Sequence, residues 1–185
     1  QQKKWGSLQY EYSLFQRGSI YDGNKHFTQF RLKQKGFEVD AQLNWLQTDS
    51  DRENTRFFRP KIELSKTFEQ LNRWKIGVYG EREKNSRFDP GLDTLNHTSF
   101  FYDLYRVYLQ SPEEVKFGLG ASYTQRYDYV PVDRAFQQNS LADDFNLNGR
   151  WWSGKRSQLK WNVTYRQLKI IDDQLTTLDP QNSIL

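Results

Sequence analysis

Residues 37–45 read Phe37-Glu38-Val39-Asp40-Ala41-Gln42-Leu43-Asn44-Trp45. Every odd position is apolar and every even position is polar or charged. Successive side chains of a strand point to opposite faces, so this stretch is a β-strand with one apolar and one strongly polar side. The same beat sets Leu8, Tyr10, Tyr12 and Leu14 against Ser7, Gln9, Glu11 and Ser13. Near the other end it sets Leu159, Trp161, Val163 and Tyr165 against Lys160, Asn162, Thr164 and Arg166. Charge stands in mid-strand. Two architectures accommodate that: a sheet with one wet face, or a barrel whose two faces meet different solvents.

The chain has 185 residues, the size of one ordinary domain. Its mean hydropathy is −0.95, polar for a globular domain. It nevertheless carries 13 Phe, 11 Tyr and 6 Trp, too many aromatics for a disordered chain. Alternating strands reconcile the two, because a window average over them looks hydrophilic. With no cysteine, disulfides, thiolate-bound zinc and a thiol nucleophile are excluded. Residue 1 is Gln and methionine is absent, which suggests a processed or excised product. No run of about 18 apolar residues occurs, so no transmembrane helix is expected; barrel strands give a weaker signal and are untouched by that test. The 27 Lys and Arg are interspersed with 23 Asp and Glu, a mixed surface rather than a nucleic-acid footprint, and no nucleic-acid partner is expected.

The periodicity predicts about nine strands, near 6–16, 24–35, 37–47, 57–66, 74–84, 99–110, 115–128, 144–152 and 158–170. The best helical stretch, Arg134 to Asp143, is short. Lys35-Gly36, Ser111 to Glu114 and Ser153 to Ser157 read as tight turns, and Thr67 to Arg73 as a slightly longer one. Between them fall longer connections: Arg17 to Gly23, Thr48 to Arg56, Asn85 to Thr98, Tyr129 to Asp143 and Ile171 to Asn182. In an up-and-down meander this alternation sorts short turns to one end and long loops to the other, as in outer-membrane barrels. Aromatics gather near the expected strand ends: Trp5, Phe15, Trp45, Phe57, Phe58, Trp74, Phe100, Phe101, Tyr127, Tyr129, Trp151 and Trp152. Interfacial girdles would place them there. Two strands fit less well. In 100–110 the phase slips between Tyr102-Leu104 and Tyr105-Val107-Leu109, which a bulge or an interior aromatic contact would explain; in 24–35 Phe27 opposes Phe30 and Leu32.

This layout resembles bacterial outer-membrane β-barrels. The Gln-, Asn- and Tyr-rich texture, and the closing stretch Leu159 to Lys169 followed by Asn182-Ser183-Ile184-Leu185, are similar to segments of large, poorly characterised barrel proteins of Bacteroidota. The resemblance implies an all-β antiparallel meander of nine to ten long strands, a transmembrane barrel or a section of one, spanning residues 1–185 as a single domain. Asn182 to Leu185 reads as the start of a tenth strand, so the chain is expected to be part of a larger barrel.

No catalytic set emerges. His26 and His97 lack further ligands at metal-like spacing. Gly118-Leu119-Gly120 has no following helix and no third glycine, so it reads as inward-facing glycines making room for large neighbours. Ser122 and Ser153 lack the context of an activated nucleophile. Glu81, Glu83 and Asp103 would be a glycosidase pair only if brought together without their flanking cations; Asp49, Asp51 and Glu53 offer oxygen ligands but no EF-hand spacing. The sequons at Asn96 and Asn162 read as chance. Arg126, Tyr127, Tyr129, Trp151 and Trp152 would suit a sugar-stacking rim or an interface girdle. No enzyme, cofactor or metal is expected.

Two readings of the alternation remain. In the first, the apolar faces meet membrane lipid in the bacterial outer membrane, through Leu8, Tyr10, Tyr12 and Leu14, then Val39, Leu43 and Trp45, Ile76 and Val78, Phe117 and Leu119, and Trp161, Val163 and Tyr165. A polar lumen is then lined by Glu11, Glu38, Asp40, Lys61, Glu63, Lys75, Glu81, Lys116, Arg126, Arg150, Lys160 and Arg166. Its function would be transport, secretion or envelope anchoring, with other envelope proteins or the rest of a larger barrel as partners. In the second, a soluble, periplasmic or secreted lipocalin-like barrel turns the apolar faces inward around a small ligand. A β-sandwich carbohydrate-binding module is a further alternative.

Overall fold

The computed structural model describes residues 6–17, 21–89, 92, 94–112, 114–152, 158–171 and 183–184. Nine long strands form one antiparallel meander: β1 (Gly6–Arg17), β2 (Tyr21–Gln34), β3 (Phe37–Ser50), β4 (Asn54–Phe68), β5 (Trp74–Phe88), β6 (Phe100–Gln110), β7 (Phe117–Val132), β8 (Ala135–Trp152) and β9 (Gln158–Ile170). A tenth, β10 (Ser183–Ile184), pairs with Leu168 and Gln167 of β9. Each strand pairs only with its neighbours in sequence, and the sheet is not closed into a barrel. The expected nine strands and the start of a tenth are therefore present. Trp5, the turn at Ser153–Ser157, and Asn182 and Leu185 lie outside the described residues.

Four expectations need correction. The long connection expected at Arg17 to Gly23 shrinks, since β1 runs to Arg17, β2 begins at Tyr21 and those two residues pair. Arg134 to Asp143 is strand rather than helix: β8 begins at Ala135 and pairs with β7 down to Val132↔Ala135. The long connection expected at Tyr129 to Asp143 is a tight hairpin with Asp133 at φ 51°. Aspartate tolerates this left-handed conformation, and sheet pairing overrides the weak helical pattern. Thr48 to Arg56 likewise shrinks, since β3 runs to Ser50 and β4 starts at Asn54. Ser50 closes the three-residue gap: its Oγ donates to the Glu53 carbonyl (2.6 Å) and accepts from the Glu53 amide (3.0 Å).

The asymmetry between the two ends survives in another form, as strand overhang. At the short-turn end the apolar run reaches the turns themselves, with Phe37, Trp74 and Phe117 opening β3, β5 and β7. At the opposite end β5 continues eight residues past Gly80 (88 − 80), β7 nine past Tyr123 (132 − 123) and β8 ten past Phe145 (145 − 135). At about 3.4 Å per residue that is about 27–34 Å of strand.

The register joins the alternating strands into two continuous faces. Leu8 stands opposite Phe30, which stands opposite Ala41, then Ile62, Gly80 and Tyr105. All fourteen residues expected to face lipid lie on this one apolar face. The rung then leaves the apolar run at Gln125, Asp143 and Gln167. Leu8 is the turn-side edge of the run in β1, and Leu159 is that edge in β9. The apolar belt has therefore moved 167 − 159 = 8 residues over eight strand-to-strand steps. One residue per strand, at about 3.3 Å rise and about 4.8 Å spacing, inclines the strands by about 35° to the belt normal.

Exposure is inverted relative to a soluble protein. Among the described residues no hydrophobic side chain is buried, and apart from glycines every buried residue is polar or charged. Gln29, Thr48, Ser65, Glu81 and Asn85 are buried on the polar face, while Leu8, Leu14 and Val163 on the apolar face are 73%, 68% and 59% exposed. Curvature toward the polar face has this effect, drawing its side chains together and splaying the others.

The β2–β3 turn has Lys35 and Gly36 both at positive φ (47° and 77°), as a two-residue hairpin of the I′ type requires. A Cβ on Gly36 would also stand 2.7 Å from the Thr67 carbonyl oxygen. Gly36→Val is expected to cost at least about 1–2 kcal/mol, lowering the midpoint of urea unfolding, whereas Lys35→Asn leaves that midpoint unchanged or higher.

Candidate functional site

The polar face is a lattice of ion pairs and hydrogen bonds built by the register. Eleven of the twelve residues expected to line a lumen lie on it; Lys116 falls in the turn before β7 instead. Near the turn end Glu38 pairs with Lys33 and Lys75 (2.9 Å to Lys75), although β3 and β5 are separated by β4. Tyr108 on β6 likewise crosses β5 to donate to Glu63 on β4 (2.5 Å). Asp40 accepts from Gln29 (3.1 Å), Gln42 (3.1 Å) and Arg31 (2.9 Å).

The densest cluster centres on Glu81, which is 9% exposed. Arg59 contacts Glu81 (2.5 Å) and Glu83 (3.0 Å). Tyr102 lies within hydrogen-bond distance of both carboxylates (2.9 and 3.0 Å), and Tyr79 also donates to Glu81. Ladder pairing between β4 and β5 lapses at Arg59 and Pro60, where proline has no amide to give, while the register is the same on either side. Toward β9, Arg166 makes a bidentate pair with Asp144 (2.6 and 2.8 Å). Asn146, Asn162 and Thr164 add a ladder of amide and hydroxyl bonds.

Large side chains cross the polar face because glycines lie beneath them. A Cβ on Gly77 would stand 2.3 Å from the Tyr108 ring; on Gly118 it would meet Arg150 at 2.7 Å, and on Gly120 the Asn148 amide at 2.7 Å. Gly118-Leu119-Gly120 thus makes room for large neighbours, as its sequence suggested. Arg150, lying over Gly118, donates to the Pro112 carbonyl.

Other candidates separate. Asp103 is on the apolar face, bound by Arg82 (2.6 and 2.9 Å), so it cannot act with Glu81 and Glu83. Arg126 is on the polar face, paired with Asp128 (2.7 Å) and over the Tyr102 ring (4.3 Å), whereas Tyr127 and Tyr129 point to the apolar side. The rim cluster with Trp151 and Trp152 therefore does not form. Of the expected girdle aromatics, Trp45, Phe58, Trp74, Phe101, Tyr127, Tyr129 and Trp151 are on the apolar face, but Phe15, Phe57, Phe100 and Trp152 are on the polar one. The phase slip in β6 puts Tyr102 and Leu104 on the polar face, where Tyr102 hydrogen-bonds Glu81 and Glu83 and lies under Arg126, and the register irregularity falls instead at Asp128/Tyr129 in β7. His26 stacks on Trp45 (centroids 4.8 Å) and accepts from or donates to Tyr10 (2.8 Å). Among the described residues no group of three potential ligands is placed to hold a metal ion.

Sequence reading missed Arg59, Tyr79, Tyr102 and Tyr108. The signal was parity, since Tyr79 shares its phase with Glu81 and Glu83, but tyrosine counted as apolar hid it. No protein-family profile matches the chain, and no curated protein or solved structure matches it.

The glycine geometry makes a paired prediction. Gly77→Val should displace Tyr108 from Glu63 and cost about 1–3 kcal/mol by overpacking. At Gly80, where a Cβ meets nothing nearer than 3.8 Å, Gly80→Ala should be neutral or stabilise by about 0.4–1 kcal/mol. Thermal melts of the two variants side by side check both.

Proposed function

We propose that this sheet is the wall, or part of the wall, of a β-barrel in the bacterial outer membrane, with the apolar face toward lipid and the charged face toward a polar lumen. The observation that carries this reading is the inverted exposure: a continuous apolar belt left in the open while the buried residues are polar. In water such a belt would be a liability far larger than the patches soluble monomers expose. In lipid it is the required surface.

Three further features support it. The one-residue drift of the belt corresponds to a strand tilt of about 35°, within the 35–45° of membrane barrels. The belt carries aromatics along both edges and is mainly aliphatic between, with Tyr10, Phe30 and Trp161 also within it. On the turn side stand Phe37, Trp74, Phe117 and Trp151; on the overhang side stand Tyr12, Trp45, Phe58, Tyr105, Tyr123, Phe145 and Tyr165. Leu43, Ile62, Val78, Val107, Leu119, Leu147 and Val163 lie between them. Six to eight residues separate the two edges, about 17–22 Å across the belt at that tilt, which suits the thinner outer membrane once the rings themselves are added. Strand overhang at one end matches the tall extracellular side of such barrels.

A membrane does not tolerate an unpaired sheet edge. β1 and β9 run in the same direction, so in an all-antiparallel barrel an odd number of strands stands between them; β10 is the described beginning of one. The lumen wall acts in transport, secretion or anchoring through its polar lining, without chemistry of its own. Dense pairing makes that wall stiff: Glu38, Glu81 and Asp144 are each held by a cation.

Expressed with a signal peptide, the protein should fractionate with outer membranes, require detergent for extraction and migrate differently on gels before and after heating. Recovery as a soluble monomer without detergent would instead establish the inside-out, lipocalin-like barrel. Val163→Arg places a charge at mid-belt and should cost about 2–4 kcal/mol, seen as loss of the folded band. Thr164→Leu, one residue on and facing the lumen, should leave the folded band intact.

A further inference from the structure

Just beyond the overhang-side edge of the belt, the apolar face changes character. Lys84 lies four residues past Gly80, Arg82 two past Gly80, and Arg56 two past Phe58, all on exposed positions of the same face. Arg82 and Lys84 are about 7 Å apart along one strand. Arg56 stands opposite Ser86, diagonal to Lys84 and about 7–8 Å from it. Aromatic rings floor the three cations: Arg82 lies over Phe101 (5.1 Å), Lys84 over Phe136 (5.3 Å) and Arg56 over Phe88 (5.7 Å). Phe101 in turn stacks on Tyr129 (4.2 Å). Two carboxylates share the neighbourhood. Asp103 is bound by Arg82 and only 5% exposed, and Asp49, one row farther out, accepts from Gln47 (3.3 Å). Among the described residues no carboxylate forms an ion pair with Arg56 or Lys84.

Directly beneath this patch the same face is aliphatic: Ile62, Val78 and Val107 are 46%, 46% and 51% exposed. Cations just beyond exposed hydrocarbon on one face are complementary to an amphiphile whose anionic groups stand above its acyl chains. We propose that this patch docks a phosphorylated lipid of the leaflet on the overhang side, its phosphates on Arg56 and Lys84 and its chains along β4–β6. This rests on the membrane reading above and adds to it a lipid-specific site. Cationic surface groups near a membrane contribute about 1 kcal/mol each toward anionic headgroups, and aromatic faces add cation–π contact.

The test uses the full chain in phosphatidylcholine nanodiscs doped with bisphosphorylated lipid A, its dephosphorylated counterpart, or neither, with bound lipid counted by native mass spectrometry. The wild-type protein should retain the phosphorylated form in preference to both other lipids. The double variant R56Q/K84Q, which leaves the Arg82–Asp103 pair intact, should lose about thirtyfold in that preference, from about 1 kcal/mol per cation. Inorganic phosphate alone should not compete, because it makes no contact with the belt. Equal retention of the dephosphorylated lipid, an unchanged preference in R56Q/K84Q, or displacement by inorganic phosphate would each overturn the proposal. Failure to enter nanodiscs at all, with solubility in water, would overturn the membrane reading itself. Normal insertion and heat-modifiable migration of R56Q/K84Q show that a lost preference belongs to the site and not to folding.

Discussion

Everything in this sheet depends on register. Side chains alternate with a period of two, so a slip of one residue between neighbouring strands would carry the apolar set of one strand onto the charged face of the next. The pairing keeps Leu8, Phe30, Ala41 and Ile62 on one side, and Gln9, Gln29 and Gln42 on the other. Because each strand pairs only with its chain neighbours, the register is set locally, hairpin by hairpin. Cross-strand contacts then resist slipping: the Glu38–Lys75 ion pair and the hydrogen bond from Tyr108 to Glu63 each tie strands two apart.

The polar lattice and the apolar belt are consequences of the same geometry and solve opposite problems. On the curved inner side, charges crowd and must be paired, and glycines at 77, 118 and 120 make space for the side chains that pair or fill them. On the apolar face the side chains stand exposed, and in the membrane reading lipid is the solvent that receives them. Such a wall gains little from a conventional core, since the described residues contain no buried hydrophobic side chain. Its stability comes from backbone hydrogen bonds, from the inner network and, in the membrane reading, from lipid on the outside.

Much of the fold was legible because long alternating runs leave few options. The strands at 37–47 and 158–170 were visible within a residue or a few, and the fourteen apolar-face candidates all share one face. Less legible were residues whose chemistry suits both faces. Tyr79, Tyr102 and Tyr108 count as apolar by composition but donate to glutamates inside. Arg82 and Asp103 are charged but lie on the apolar face, paired with each other. Phe15, Phe57, Phe100 and Trp152 looked like girdle residues because they sit near strand ends, yet parity puts them on the polar side. The overhang was least legible: 134–143 carries no clean alternation, and only pairing with β7 makes it strand.

The amino-acid sequence by itself determined that the chain is an antiparallel meander of long strands with one apolar and one charged face, because a period of two is written residue by residue. Tertiary structure alone decided how those faces join. It supplied the one-residue drift that tilts the strands, the crossing contacts that make the polar face a network, and the cationic patch beyond the belt. Each of these depends on which residue of one strand stands opposite which residue of the next, a relation between distant positions that no single strand carries.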